Sequence, residues 1–193
     1  MSFWILGDRN DGAVLDAYPR NAPDGWRYLE SHRLSSEFPT DAVMGFSPSF
    51  PDRRKVYDFV TSILDIRIVS ERVRRIVLEL APDDVEFLPV TLVNHQREVA
   101  SREHFIMNVL ARREVIDLER SDVRMGAILK REIDRVRKLV LKENLEPGGP
   151  KVFRPMHLRV NTMIDDTVHE ALAGAGLTGC GFFPANGWNG KGT

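Results

Sequence analysis

The sequence predicts an α+β fold in which a mixed sheet contains two repeated strand-helix-strand units, preceded by a β/loop-rich N-terminal region. Residues 68–90 and 163–185 align without a gap, so every paired position is separated by the same offset. Each segment combines a helix N-cap, an apolar stripe and an aromatic-x-Pro ending. Five of the eleven prolines lie before residue 57, where only short strand candidates occur. We therefore expect a duplicated scaffold that follows a less regular segment.

The N-terminal region, residues 1–56, has strand candidates at 3–6, 13–18 and 26–29, and we predict that it belongs to the same compact domain as the rest. Residues 35–52 have no hydrophobic period and mix three aromatic residues with prolines: Phe38, Phe46 and Phe50. Such a segment is a long loop that either packs on its own side chains or offers them to a partner. The sequence leaves both alternatives open.

The first repeated unit begins with a strand that ends at Ser70, whose side chain is suited to cap a helix N-terminus. Glu71 places negative charge in the first turn, where the helix dipole favours it. The apolar residues that follow fall at i, i+3, i+4 and i+7 and line one helix face: Val73, Ile76, Val77 and Leu80. Pro82 ends this helix, because proline cannot continue it, and a strand through Phe87 follows.

The second unit repeats this pattern with different residues. Asp165 is the cap and Asp166 the acidic residue of the first turn, while Gly174 and Gly176 supply the helix stop. A strand through Phe182 follows. Apolar stripes at helical spacing usually face a core, so we predict two core-forming units in which Phe87 and Phe182 are equivalent anchors.

Between the two units, the alternation of apolar and polar residues predicts neighbouring strands at 86–93 and 103–110. The polar residues 94–102 are expected to join them as a loop. Residues 114–119 are predicted to form a further short strand.

Residues 125–141 have both helical and strand-like spacing, and we favour a turn of helix followed by a strand. Residues 151–160 are predicted to be extended. The glycine-rich residues 186–193 are predicted to be a flexible tail. Residues 57–185 thus form the α+β domain that contains both repeats.

Composition describes a chain that is able to bury one substantial core. It has 193 residues, 42% of them hydrophobic, and a formal net charge of −1. The single cysteine, Cys180, excludes an intrachain disulfide and fits a reducing compartment. The first apolar run is too short for a signal peptide, and no stretch approaches the ~20 apolar residues of a membrane span. We predict a cytoplasmic protein with no membrane partner.

No catalytic, cofactor-binding or metal-binding site is predicted. The five histidines show no metal-ligand spacing such as HExxH or a pair at i, i+4. Cys180 precedes a predicted buried strand, where a small apolar role outweighs that of a nucleophile. Asp122 stands where a calcium loop starting at Asp117 needs glycine. Residues 148–151 and 187–193 do not fit the phosphate-loop pattern GxxxxGK[ST] followed by a helix.

One cluster of charge raises the alternative of nucleic-acid binding. Six basic residues lie close together in the sequence: Lys130, Arg131, Arg135, Arg137, Lys138 and Lys142. Glu132, Asp134 and Glu143 interrupt them, and no aromatic platform of the kind that single-strand binders use accompanies them. We interpret the cluster as a solvated face and expect no nucleic-acid partner.

Several strings, taken in order, resemble one family of bacterial proteins. They are VS at 69–70, ELAPDDVEFLPV at 79–90, IDLERS at 116–121, KVFRP at 151–155 and AGLTG at 175–179. The ordered set is similar to the eleventh immunity-protein family of polymorphic toxin systems, formerly a domain of unknown function, over about residues 57–184. The resemblance implies a protein that binds and neutralises a cognate toxin, encoded nearby, without catalysis.

The prediction for function is therefore a non-catalytic binding protein, an immunity protein whose partner is a bacterial toxin. A regulatory or structural protein-interaction module is the alternative, and an enzyme acting on small molecules ranks third. Buried aromatic residues supply much of the energy at protein interfaces, and loops on a rigid scaffold carry specificity. Phe46 and Phe50, in the aromatic-rich loop, are therefore the predicted partner-binding residues.

Overall fold

The architecture consists of two main sheets, a β-hairpin and three helices, seen in a computed structural model that describes residues 2–8, 11–145 and 148–192. The six-stranded sheet has the spatial order β2 (Val14–Leu15), β4 (Phe59–Ser62), β5 (Arg67–Ser70), β7 (Val99–Val109), β6 (Val85–Val93) and β3 (Val43–Gly45). The five-stranded sheet has the order β13 (Cys180–Pro184), β1 (Phe3–Asp8), β12 (Thr162–Asp165), β11 (Val152–Pro155) and β8 (Arg112–Arg113). The hairpin pairs β9 (Asp122–Met125) with β10 (Ile133–Lys138), and the helices are α1 (Gly25–Leu29), α2 (Glu71–Leu80) and α3 (Asp166–Gly174).

The α+β class is as predicted, and both predicted helices are present, as α2 and α3. The Ser70 side chain accepts a hydrogen bond from the backbone nitrogen of Val73 (3.5 Å), and Asp165 accepts one from Val168 (2.9 Å). Each cap therefore satisfies an amide of the first helical turn that has no partner within the helix. Gly176, just beyond α3, has a φ of +62°, the left-handed conformation that commonly follows a helix C-terminus.

The two units differ from the prediction in one respect, because they lie in separate sheets instead of one mixed sheet. In the first unit, β5 and β6 are both antiparallel to β7, which lies between them. In the second unit, β12 and β13 are both antiparallel to β1, which lies between them. Each unit is therefore a strand-helix-strand crossover split by an inserted strand. In the first unit the inserted strand, β7, directly follows β6 in the chain, whereas in the second unit the inserted strand, β1, comes from the distant N-terminal region.

The pairing registers of the two sheets correspond. In the first sheet, Ile106 of the inserted strand is paired with Ile68 and Leu88. In the second, Ile5 of the inserted strand is paired with Met163 and Phe183. Ile68 and Leu88 stand at the same sequence offset from Met163 and Phe183, which is the offset of the repeat itself. The correspondence seen in the sequence thus extends to the pairing of residues across neighbouring strands. That the two units arose by duplication stays a prediction.

A shared hydrophobic core joins the two units. Helices α2 and α3 pack against each other, and one buried cluster combines apolar side chains from both helices and both main sheets. Val73 and Val77 of α2 and Val168 and Leu172 of α3 are all buried in it. The predicted anchors, Phe87 and Phe182, pack against this cluster but are only partly buried.

Each main sheet also has an outer face that a less regular segment covers. The face of the six-stranded sheet that carries Ile68 and Ile106 packs against the N-terminal region, including Tyr28, Leu34 and Phe38. The face of the five-stranded sheet that carries Ile5 and Met163 packs against the hairpin and the C-terminal segment, including Ile133, Val136 and Trp188. The described residues therefore form three buried clusters. Helices α2 and α3 lie in the central one, and Tyr28 of α1 belongs to the cluster of the N-terminal region.

The strand predicted at 26–29 is wrong, since these residues form helix α1. The amide of Arg27 donates to the carbonyl of Asp24, and that of Glu30 donates to Trp26. Trp26 is exposed whereas Tyr28 is fully buried, although the two would lie on the same side of a strand. Two positions along a helix are about 200° apart, so the two side chains point to opposite sides. Over four residues the alternation pattern could not distinguish this short helix from a strand.

The turn of helix predicted within 125–141 is also wrong, because this segment contains the end of β9, a connecting turn and β10, of which only β10 matches the predicted strand. Ile133 and Val136 are three residues apart, which suggested a helix, yet both are buried in one strand. The pairing of β10 with β9 has irregularities between Ile133 and Arg135 and between Val136 and Lys138. Such bulges shift which side chains face the core and so imitate helical spacing.

Two further predictions differ from the structure. Residues 114–119 do not form a strand, and an isolated bridge joins Ile116 to Leu141. Of residues 151–160, which were predicted to be extended, only those of β11 form a strand. Residues 186–191 do not extend as a free tail, since Leu139 exchanges hydrogen bonds with Gly187 (2.7 Å) and Trp188 (2.8 Å) and Trp188 is buried. Glycines in this segment occupy positive φ values in tight turns, so their frequency reflects turn geometry.

Strands β6 and β7 are confirmed, with antiparallel pairing, but β7 begins at Val99, so residues 99–102 of the predicted loop belong to the strand. Glu86 of β6 fastens the N-terminal region to the sheet, because its carboxylate accepts bonds from the backbone nitrogens of Leu34 (2.6 Å) and Ser35 (3.3 Å). The Asn108 side chain donates to the same carboxylate and to the carbonyl of His32, both at 2.8 Å.

Asp58 is a buried carboxylate that connects the two repeated units. One oxygen accepts from the Ser70 hydroxyl at the start of α2 (2.7 Å). The other accepts from the backbone nitrogen (2.9 Å) and hydroxyl (2.8 Å) of Thr178, and it contacts Arg72 at 3.2 Å. Arg72 in turn donates to the carbonyl of Ala175 at the end of α3 (3.0 Å). The start of one helix is thereby tied to the end of the other.

Burial opposes the ionisation of Asp58 and would alone raise its pKa. The hydrogen bonds from Ser70 and Thr178, together with the charge of Arg72, outweigh that penalty, so the pKa lies below its ordinary value. The ionised carboxylate is the form that accepts all of these bonds.

We expect Asp58→Asn to lower the free energy of unfolding by about 3 kcal/mol at neutral pH, because it leaves buried donors without acceptors. A lowered folded pKa stabilises the native state above the unfolded value of about 3.9, and this contribution is lost as the pH falls through the folded pKa. Urea denaturation of both proteins from neutral pH to about pH 2 measures the difference. The exposed Asp83→Asn is the matched control, and a difference that does not shrink at low pH would contradict the role of the ionised form.

Candidate partner-binding surfaces

Phe46, one of the two predicted contact residues, lies in the core beneath its loop. It is 6% exposed and belongs to the cluster that the N-terminal region forms with the six-stranded sheet. Its backbone nitrogen donates to the carbonyl of Val93 (3.0 Å), and its ring meets that of His95 edge-on at 5.7 Å. Phe46 therefore positions the loop, and its ring is not presented to a partner in this conformation.

Phe50, the other predicted residue, reaches the surface and is 36% exposed. Its backbone nitrogen donates to the carbonyl of Ser47 and its own carbonyl accepts from Arg53, both at 3.1 Å. The guanidinium carbon of Arg53 lies 5.2 Å from the centre of the ring, and such a cation–π pair favours a fixed ring orientation. The structure thus separates the two residues, with Phe46 below the surface and Phe50 on it.

A larger apolar surface, not predicted from the sequence, lies at the tip of the β9–β10 hairpin. Ile128 is 94% exposed and Leu129 is 55% exposed, while Val160 on a neighbouring turn is 41% exposed. With Leu29 of α1 and Leu158, these residues line a cleft of about 450 Å³, which we call the hairpin cleft. Single exposed apolar side chains are ordinary, but several that share a concave surface are typical of interaction sites.

A second cleft, of about 590 Å³, adjoins the hairpin cleft, and we call it the basic cleft. Four residues line both: Ile133, Asp134, Leu158 and Val160. Beyond this common wall, Arg135, Arg137 and Lys191 line the basic cleft. An apolar surface is therefore continuous with a cationic one.

The acidic residues of these clefts are neutralised within the protein. Asp134 accepts from the Nε of Arg124 (2.9 Å) on the paired strand, and Glu132 lies 3.6 Å from the Nε of Arg159. Arg137 has only a distant ion pair, 4.0 Å from the carboxylate of Asp122.

Several basic side chains of this surface have no such partner. Across the described ranges, none of the ion pairs within 4.0 Å involves Lys130, Arg131, Arg135, Lys138 or Lys191, and all five are exposed. The uncompensated charge around the clefts is consequently positive.

The walls of the clefts are held by bonds to the body of the protein. Ile133 receives support through its backbone nitrogen, which donates to the carbonyl of His157 (2.7 Å). Arg159 is held by an ion pair with Glu30, and its carbonyl accepts from the buried Arg154 (2.6 Å). Burial, together with the nearby charge of Arg67, lowers the pKa of Arg154 to about 10, so it remains a cation at neutral pH. Sites supported in this way keep their geometry on binding.

The sequence contained a signal for this surface. The basic cluster begins at Lys130, and the apolar residues Ile128 and Leu129 directly precede it in the sequence. Leu129 fits the helical spacing proposed for 125–141, which made it a core candidate. Adjacent apolar residues beside uncompensated basic ones, in a segment of mixed periodicity, are the features that would have indicated an exposed hairpin tip.

Outside these clefts, the residue types that could hold a metal or act in catalysis are His, Cys, Asp and Glu. In the part of the chain that the structure describes, no group of three or more His, Cys, Asp or Glu residues is placed to hold a metal ion. Burial raises the pKa of the half-buried Cys180 thiol, which opposes formation of a reactive thiolate. Burial also lowers the pKa of His104, whose ring contacts the Ser101 hydroxyl (2.7 Å) and the Tyr57 carbonyl (3.0 Å).

None of the helices formed by the described residues has the length and apolar character required to cross a bilayer.

Comparison with known proteins gives one family. The model described as immunity protein family (Imm11) matches residues 9–186. This match includes both repeated units, the segment with Phe46 and Phe50, and the β9–β10 hairpin. It extends the resemblance over 57–184 into the N-terminal region. A search of curated proteins finds no match.

The contrast between Phe46 and Phe50 leads to a prediction about stability. We expect Phe46→Ala to lower the free energy of unfolding by about 3 kcal/mol, because it removes a core ring, and Phe50→Ala to lower it by less than about 1 kcal/mol. For a protein of this size, the former corresponds to a fall in Tm of roughly 6–12 °C. Thermal denaturation followed by circular dichroism measures both. Equal losses would show that the two rings share one environment.

Metal removal provides a second prediction. We expect a chelator such as EDTA to leave the Tm unchanged, within about 1 °C, since neither the spacing of ligands in the sequence nor the described residues provide a metal site. Adding zinc or calcium back to the treated protein is the control. A large fall in Tm on chelation, reversed by one metal, would reveal a metal site and contradict the prediction.

Proposed function

Because the chain belongs to the immunity protein family Imm11, we propose that this protein neutralises a cognate bacterial toxin by binding it, stoichiometrically and without catalysis. The observation that carries the proposal is the extent of the family match, residues 9–186. The match covers the two repeated units as well as the segments that pack on the outer faces of the sheets.

The geometry supports a binding role. Three hydrophobic clusters and the bonds around Asp58 and Glu86 make a connected scaffold, on which exposed apolar and cationic side chains are concentrated locally. An inhibitor that acts by occlusion needs such a surface and no reacting groups. A regulatory interaction module needs the same features, so only the identity of the partner distinguishes the two functions.

Phe50 remains our proposal for a direct partner contact from the aromatic loop. Its ring is accessible and oriented by Arg53, whereas Phe46 acts from below by holding the loop on the sheet. We also propose that the protein acts in the bacterial cytoplasm, in keeping with its single cysteine, as part of a polymorphic toxin system whose toxin gene lies close to its own.

Co-expression with the toxin encoded beside its gene tests the function. We expect wild-type protein to restore growth and to bind the purified toxin in a 1:1 complex by calorimetry. Residual toxin activity should fall linearly with added protein until equivalence, because each molecule occupies one toxin. Continued loss of toxin activity at a small fraction of equivalence would indicate turnover and overturn the non-catalytic reading.

Phe50→Ala and Phe46→Ala form a matched pair in the same assay. We expect Phe50→Ala to weaken the complex by roughly tenfold with an unchanged Tm, as for a contact residue. Phe46→Ala should reduce rescue in proportion to its loss of folded protein. If Phe50→Ala binds like the wild type, the aromatic loop is not part of the interface.

A further inference from the structure

We infer that the hairpin cleft and the basic cleft together form the main anchoring site for the toxin, and that they receive a toxin segment bearing an apolar side chain beside carboxylates. This inference rests on the proposed function and specifies where and by what chemistry the partner is held. Ile128 is the most exposed of the large apolar residues among those described.

The apolar part of the site has the features of an interface anchor. Ile128, Leu129 and Val160 present apolar area on the sides of a concave surface, and Leu158 and Ile133 form its buried floor. An apolar side chain inserted there would be removed from water on several sides. Concave, apolar and supported surfaces of this kind concentrate binding energy at interfaces.

The charge of the hairpin indicates which polar groups the partner segment should carry. Residues 122–138 contain six Lys or Arg against three Asp or Glu, which makes their formal charge +3. The whole chain has 27 basic and 28 acidic residues and a formal charge of −1, so the remaining residues carry −4. Positive charge is thus concentrated on this hairpin, where Arg135 and Lys191 face the basic cleft. Carboxylates on the partner would form ion pairs with these two basic side chains.

The same charge argues against a second copy of this chain as the occupant. A symmetric dimer through the clefts would bring two copies of one surface together. Two hairpins of charge +3 would then face each other, and like charges brought together at an interface oppose association. A partner with a negative segment meets both the apolar and the electrostatic requirement.

Two variants of the full chain test the inference, each with a matched control. Ile128→Asp introduces charge at the apolar tip, and Ile63→Asp makes the same change at a side chain that is 63% exposed elsewhere. Arg135→Glu reverses a cation of the basic cleft, and Arg102→Glu does so at an exposed position of β7. All four replace solvent-exposed side chains, so the Tm of each should remain within about 3 °C of the wild type.

Binding to the purified toxin is measured at two salt concentrations, together with rescue of growth. We expect Ile128→Asp to weaken binding by about 30-fold or more and Arg135→Glu by about tenfold, with controls within about threefold of the wild type. Arg135→Glu should also reduce the dependence of binding on salt, because a cation that meets a carboxylate is lost. An unchanged salt dependence would overturn the acidic character assigned to the partner segment.

The outcomes separate this inference from the proposed function. Wild-type protein that neither binds the toxin nor restores growth overturns both. Wild-type binding that only Phe50→Ala weakens, with the cleft variants equal to their controls, overturns the inference alone. So does a wild-type dimer in sedimentation that Ile128→Asp dissociates while toxin affinity is unchanged, since the occupant would then be a second copy.

Discussion

The bonds to the Asp58 carboxylate are the constraint on which the joining of the two repeated units depends. Removing a carboxylate from water is costly, and the charge is tolerated only because hydroxyl, amide and guanidinium donors surround it. These donors belong to the start of α2 and to the residues after α3. Apolar contacts between the helices do not specify their relative position in this way, because they are non-directional. The directional bonds fix the packing that the hydrophobic core stabilises.

Glu86 applies the same principle to the N-terminal region, whose backbone amides it binds inside the fold. Two buried carboxylates thus orient pieces of chain that are distant in sequence. The aromatic loop and the hairpin lie outside these two sets of bonds, on the outer faces of the two main sheets. Phe50 and Ile128 are exposed, so substitutions at either position change the surface without removing any of the buried polar bonds.

Local patterns predicted much of the fold. Ser70 and Asp165 were identifiable as caps because capping requires a particular side chain at a particular position, and the helices they begin were found. The pairing of strands was not accessible, because nothing near residues 68–90 indicates that β7 enters between β5 and β6, or that β1 does so between β12 and β13. The hairpin was missed because bulges in β10 imitate helical spacing. Phe46 was assigned to a surface because its burial depends on Val93 and His95, which lie far along the chain.

The origin of the inserted strands has a consequence for synthesis on the ribosome. β7 follows the first unit directly, so that sheet can assemble as soon as residues up to 109 have emerged. β1 pairs with β12 and β13, which are synthesised more than 150 residues after it. At about 5–20 residues per second, Phe3, Ile5 and Leu6 wait roughly 10–30 s without their final neighbours. The nascent chain therefore carries an apolar strand with open edges until β12 and β13 have emerged, and such edges can pair with other chains in the meantime.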